Sequence, residues 1–167
     1  MGSDDLFNKR KAKKVNSLER RKASRSSYNR VLIVCEGEKT EPNYFKELVQ
    51  HYKLHTANVE VDGSCGSSPR SVFNRARELW EKEKRKGDPY DRVYCVFDKD
   101  THETYEEALT NISRKEYKDI FHATTSVPSF EYWLLLHYKF TTKPYAASGK
   151  HSVADEVINE LREVMPD

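Results

Sequence analysis

Val31-Leu32-Ile33-Val34-Cys35, running into Glu36-Gly37, and Arg92-Val93-Tyr94-Cys95-Val96-Phe97, running into Asp98-Lys99-Asp100, are the two stretches that decide how this chain is read. The first is five consecutive apolar residues after a charged stretch. It lacks the alternation of a strand with one wet face, and reads as a strand covered on both sides, as in a parallel sheet. The second is equally dense, and both runs stop on an acid. In open parallel sheets ligands bind beyond the carboxyl ends of the strands, where loops and helix N-termini converge. In extended backbone, residues i and i+2 point the same way, so Asp98 and Asp100 present their carboxylates together while Lys99 faces elsewhere. If the two strands are neighbours, three carboxylates meet at one rim.

Outward from these strands the period changes. Tyr44, Phe45, Leu48, Val49 and Tyr52 recur at helical spacing, with Thr40 placed as a cap and Pro42 inside the first turn. Asn58 to Asp62 alternates as a weak strand, and Gly63 to Pro69 is a flexible loop ending in the Ser68 cap and a first-turn proline. A helix from Pro69 to Lys86 follows, with Val72, Phe73, Ala76, Leu79 and Trp80 on its buried stripe. Gly87, Asp88 and Pro89 end it. After the second strand comes a helix with Tyr105, Ala108, Leu109 and Ile112 on one face, then a short strand over Ile120 to Thr124. Helices over Ser129 to Tyr138 and Ser152 to Val164 complete the pattern, with Trp133 and the leucines of the first assigned to the core. The order βαβαβαβ predicts a mostly parallel α/β sheet, flanked by helices on both faces.

Charge is unevenly spread. Residues 1–30 hold ten Lys or Arg against three acids, a local balance of +7, so residues 31–167 carry −5 of the net +2. The division is therefore a basic arm over 1–30, flexible or partly helical, and one folded domain over 31–167. Such an arm suits a phosphate backbone, because each neutralised phosphate releases counterions; equally, it suits a solvated leader. A mean hydropathy of −0.89 beside 11% aromatic residues places the apolar content in the dense runs. No run of 18 apolar residues and no signal-peptide pattern occurs, so the expected compartment is the cytoplasm. Cys35, Cys65 and Cys95 form no CxxC pair and read as reduced thiols.

Three clustered anions repel by about 1 kcal/mol per pair at 4 Å in water, and several-fold more inside a protein, unless a cation sits among them. Oxygen-only ligands favour Mg²⁺ or Mn²⁺ over zinc. A hard ion bridging to a phosphate polarises it and orients a water for attack. Acids at strand ends also serve as helix caps and loop solvators, and pattern alone leaves both readings open.

The segments VLIVCEGEKTEPNYF, YCVFDKD and PSFEYWLLLHY, in this order over Arg30 to Tyr138, resemble the three signature blocks of the RloB-like family, which belongs among the Toprim-like proteins. The resemblance implies a Toprim-like catalytic domain, an Mg²⁺-dependent nuclease acting on DNA or RNA, an anti-phage, abortive-infection setting, and an ATPase partner encoded nearby. It makes Glu36 a metal ligand or general acid/base, and Asp98 and Asp100 the metal-binding pair. Glu41 resembles the second acid that OLD-type nucleases place shortly after their Glu-Gly, at a spacing one residue longer. Gly37 is expected to fit tightly behind Glu36, where a side chain would meet the phosphate or the sheet. Lys39, Gly37, Lys99 and Glu131 are the candidate substrate contacts. Lys39 reads as a phosphate contact or a solvated loop lysine, and Glu131 as a partner of the helix dipole or a ligand for a second metal. His137, six residues and about 240° from Glu131, is expected to be a half-buried, satisfied histidine off Glu131's face. The chain carries no GxxxxGK[ST] loop, so nucleotide hydrolysis would come from the partner. Family members continue past the last helix with lysine-bearing sequence, which implies that this chain, ending at Asp167, is a C-terminally truncated piece.

Two other classes compete. A non-catalytic Toprim-like module would bind nucleic acid or the ATPase and keep its acids for structure. A receiver-like phosphoacceptor would need adjacent acids after the first strand and a lysine ending a later one, and neither is present. Homo-oligomerisation is compatible with all three.

Overall fold

A computed structural model describes residues 29–55, 58–99 and 103–165. Most of the basic arm and Asp100 therefore lie outside the described residues. The elements run β1 (Val31–Cys35), α1 (Thr40–His51), β2 (Val59–Asp62), α2 (Pro69–Lys86), β3 (Arg92–Asp98), α3 (Tyr105–Ile112), β4 (Phe121–Ser126), α4 (Phe130–Leu136) and α5 (Val153–Val164). The four strands form one all-parallel sheet in the order β2-β1-β3-β4, flanked by the five helices, an arrangement consistent with a Rossmann-like or Toprim-like fold.

The apolar runs earn their central places by being covered on both sides. Leu32 and Val34 of β1 and Val93, Cys95 and Phe97 of β3 face one cluster, filled by Val72, Phe73, Ala76 and Trp80 of α2 and Ala108 and Ile112 of α3. Cys35 and Val96 point to the opposite face, against Phe130 of α4, with Ile33, Tyr44, Phe45 and Val61 around them. Each fully buried Val, Leu or Phe contributes about 1.5–3 kcal/mol, which is why continuous rather than alternating hydrophobicity marks these two strands. A third cluster joins Leu135 of α4 to Val157 and Leu161 of α5.

Local chemistry sets the helix ends. Ser68 accepts from the Ser71 N–H with Pro69 following, and α2 stops at Gly87, whose φ of 86° suits a residue without Cβ. Ser152 and Asp155 form a reciprocal capping box at α5. At α1 the expectation for Thr40 is corrected: Lys39 occupies the cap position with no side-chain cap bond, and Thr40 is already helical.

The chain leaves β1 for β2 on one side of the sheet, then crosses back over it through α2 to β3 on the other. That reversal puts a switch point between β1 and β3, the position where open α/β sheets form their binding crevice. The register pairs Cys35 with Val96, and Asp98 with Ser126 of β4.

Candidate functional site

Glu36 is the first residue past β1. Its N–H donates to the Val96 carbonyl (3.0 Å), which continues the β1–β3 ladder by one residue. Its Oε2 accepts the backbone N–H of Asp98 at 3.2 Å. The acid from one strand thus rests on the terminus of its neighbour, at the switch point.

Asp98 ends β3 on the face it shares with Val96, beneath α1 and α4. Its carboxylate accepts the Phe130 N–H, yet burial raises its pKa from 3.8 to about 7, with Glu41, Glu131 and Glu36 all pushing the same way. One hydrogen bond does not offset lost hydration plus three like charges.

Glu41 comes from the first turn of α1 and is 8% exposed. It accepts from its own N–H and that of Gly37, while burial and Glu131 raise its pKa. A Cβ on Gly37 would lie 2.1 Å from Glu41 Oε2. The expected reason for Gly37 is therefore corrected: the space it leaves is filled by a carboxylate of its own chain. Gly63, in the loop after β2, is small for a similar reason, since a Cβ there would sit 2.5 Å from Pro42 Cγ and 2.8 Å from the Gly37 carbonyl. Cys65 Sγ donates to the Cys35 carbonyl (3.0 Å), tying that loop to the end of β1. The Gly63–Pro69 stretch, which reads as a flexible loop, is thus packed against the Glu-Gly turn.

Four carboxylates, Glu36, Glu41, Asp98 and Glu131, therefore form an anionic cup at the carboxyl rim. Among the described residues no Lys or Arg forms an ion pair with Glu41, Asp98 or Glu131. The donor set is all oxygen, and Glu41, Glu131 and Glu36 all push Asp98 toward its neutral form, a pattern that fits a hard divalent cation. Among the described residues no group of three or more His, Cys, Asp or Glu side chains is arranged to hold a metal ion. Mg²⁺ does not require one, because it keeps several waters and takes one or two carboxylates.

The other candidates are dispersed. Lys39 is exposed at the head of α1. Lys99 donates its N–H to the Ser126 carbonyl (2.8 Å) and sends its amine toward the Tyr105 ring, 5.8 Å from the centroid, away from the cup. His137 is exposed, not half-buried, with Nε2 3.3 Å from Tyr44 Oη. Trp133 is 46% exposed, which corrects its assignment to the core; of the neighbouring leucines only Leu135 is fully buried. Cys35 and Cys95 are buried and Cys65 half-buried, all free thiols, with burial pushing Cys65 up to about 11 and Cys95 to about 12. Among the described residues no helix is long and apolar enough to cross a membrane.

The family model described as RloB-like protein matches residues 31–167, most of the chain. No curated protein matches it.

Proposed function

This chain belongs to the RloB-like family, and from that premise we propose that it is a Mg²⁺- or Mn²⁺-dependent phosphodiesterase, a nuclease acting on DNA or RNA in anti-phage defence beside an ATPase supplied by another chain. The observation that carries this reading is the convergence of Glu36, Glu41 and Glu131 on Asp98 at the sheet's switch point, where the Asp98 N–H donates to Glu36 and burial with the neighbouring acids pushes the Asp98 carboxyl upward. Groups whose titration is displaced by burial and like charge mark sites of chemistry or binding.

Each side chain has a separate task. Glu36, braced by the Asp98 N–H, holds its oxygens at the mouth of the crevice as ligand or general acid/base. Glu41, fixed by the N–H groups of Gly37 and its own residue, supplies charge without moving. Asp98, its carboxyl pushed upward by burial and the neighbouring acids, would be drawn toward its ionised form by an arriving cation. A divalent ion held by these acids would supply Lewis-acid polarisation of the phosphoryl group.

The test is a cleavage assay across single- and double-stranded DNA and RNA with Mg²⁺ or Mn²⁺. Glu36→Ala and Asp98→Ala are expected to lower cleavage on the order of 10³-fold while retaining wild-type circular dichroism. Undiminished cutting by both variants rejects the mechanism. The second reading, a non-catalytic binding module, is favoured because, among the described residues, no group of three or more His, Cys, Asp or Glu side chains is arranged to hold a metal ion. It prevails if calorimetry finds no saturable Mg²⁺ or Mn²⁺ binding.

A further inference from the structure

Beside the cup, an apolar groove of about 470 Å³ runs between α1, α4 and the carboxyl end of the edge strand β4. That size is typical of a small-ligand pocket. Its rings brace one another. Tyr44 stands edge-on to Phe130 with centroids 5.5 Å apart and lies 5.9 Å from the His137 ring; Trp133 stands edge-on to His137 at 5.1 Å. The Tyr44–His137 polar contact at 3.3 Å ties α1 to the end of α4.

Despite this bracing, Trp133 remains nearly half open to solvent. An indole held at its edge with surface to spare is a stacking platform, of the kind single-stranded nucleic acids use because every base has a π-face. The polar groups of the groove are few and versatile. Thr124 and Thr125 are exposed along it, and the buried Ser129 hydroxyl has no hydrogen-bond partner among the described residues. A flat ring with hydrogen-bonding edges matches this mixture better than an aliphatic chain does.

The groove is continuous with the cup through one stretch of backbone. Ser126, Val127, Ser129 and Phe130 line the groove, while the Ser126 carbonyl accepts the Lys99 N–H and the Phe130 N–H reaches Asp98. We propose that the groove holds an unpaired nucleobase of a single-stranded nucleic acid, seated beside the phosphodiester that the cup addresses. The proposal rests on the phosphodiesterase reading for its orientation. A base paired and stacked within a duplex does not offer its face, so the subsite selects unpaired segments.

The experiment is fluorescence anisotropy with labelled oligonucleotides of about a dozen nucleotides, single-stranded and duplex, bound to the full chain in EDTA. Single strands should bind more tightly than duplexes. Trp133→Ala should weaken single-strand binding on the order of tenfold, and Trp133→Phe, which keeps a ring, should restore most of it. Since no divalent ion is present, binding is read apart from cleavage. Trp133-dependent binding by a protein that cuts nothing would leave the base subsite standing and remove the hydrolytic reading. Equal affinity for single strands and duplexes, or no loss in Trp133→Ala, overturns the subsite even where Mg²⁺-dependent cutting is intact. A changed sedimentation coefficient in Trp133→Ala would give the groove to a protein surface and overturn the proposal as well.

Discussion

Glu41 and Glu160 are shielded from solvent to nearly the same degree, 8% and 9% exposed, and the protein treats them in opposite ways. Glu160 on α5 receives Lys139 Nζ at 2.8 Å, Lys143 Nζ at 3.1 Å and Tyr145 Oη at 2.9 Å, which together lower its pKa to about 2. Its cover consists of those lysines, themselves 51% and 61% exposed, and not of depth in the core. Glu41 has carboxylate neighbours instead, and both it and Asp98 are pushed upward. Low exposure therefore does not distinguish a scaffold acid from a working one. The sign of the charges around it does.

The sharpest way to break this contrast is to give the cup a cation of its own. Glu131→Lys places an ammonium where a carboxylate now raises both Glu41 and Asp98. Mg²⁺ affinity measured by calorimetry should fall at least tenfold, about 1.4 kcal/mol, and cleavage should fall with it. Unchanged Mg²⁺ binding in this variant would falsify the assignment of the cup as a cation site.

The two halves of the contrast were not equally legible in the sequence. Val31–Cys35 and Arg92–Phe97 announce buried parallel strands, because only a strand covered on both faces tolerates apolar residues without alternation, and their terminal acids fall at the rim by consequence. The recruitment of Glu41 and Glu131 was not legible to the same degree. Glu41 reaches the cup because Gly37 leaves room for its carboxylate, and Glu131 because the strand order β2-β1-β3-β4 brings α4 over the end of β3. Neither fact is local. Trp133 misleads for a related reason: helical spacing gives the angle of a side chain around α4, but whether another element covers that angle is decided by packing. Here α4 turns Phe130 and Leu134 to the sheet and Leu135 to α5, and leaves the indole partly open.

A second, smaller effect sharpens the comparison through pH. The folded-state pKa of Asp98, about 7, lies above its ordinary 3.8, so between those values the folded state holds the proton more firmly than the unfolded chain. Stability of the metal-free protein therefore falls as pH rises through this window and stays reduced above 7. Asp98→Asn removes the cost. In EDTA at pH 8 the variant should be more stable than the parent by roughly 1–3 kcal/mol, the range reflecting solvent screening at a partly exposed carboxylate. Denaturant melts should show this advantage shrinking by pH 5 and shrinking again when Mg²⁺ is added at pH 8. A constant difference across pH would mean that the carboxylates do not interact as described.

Glu160 should give the reverse pattern at smaller amplitude. Its folded pKa, about 2, lies below its ordinary 4.5, so its contribution is fully present above 4.5 and is lost as pH falls toward 2. Glu160→Gln should lower the melting temperature at pH 7 modestly, because the partners it releases are exposed lysines that water solvates well. The deficit should be the same with and without Mg²⁺ and should narrow on acidification, and cleavage should be unaffected. An acid whose charge is already answered by its own chain has nothing left to offer an incoming ion. Any shift of Mg²⁺ affinity in Glu160→Gln would show that the two sets of carboxylates are coupled across α4, and that the separation between scaffold and site is drawn in the wrong place.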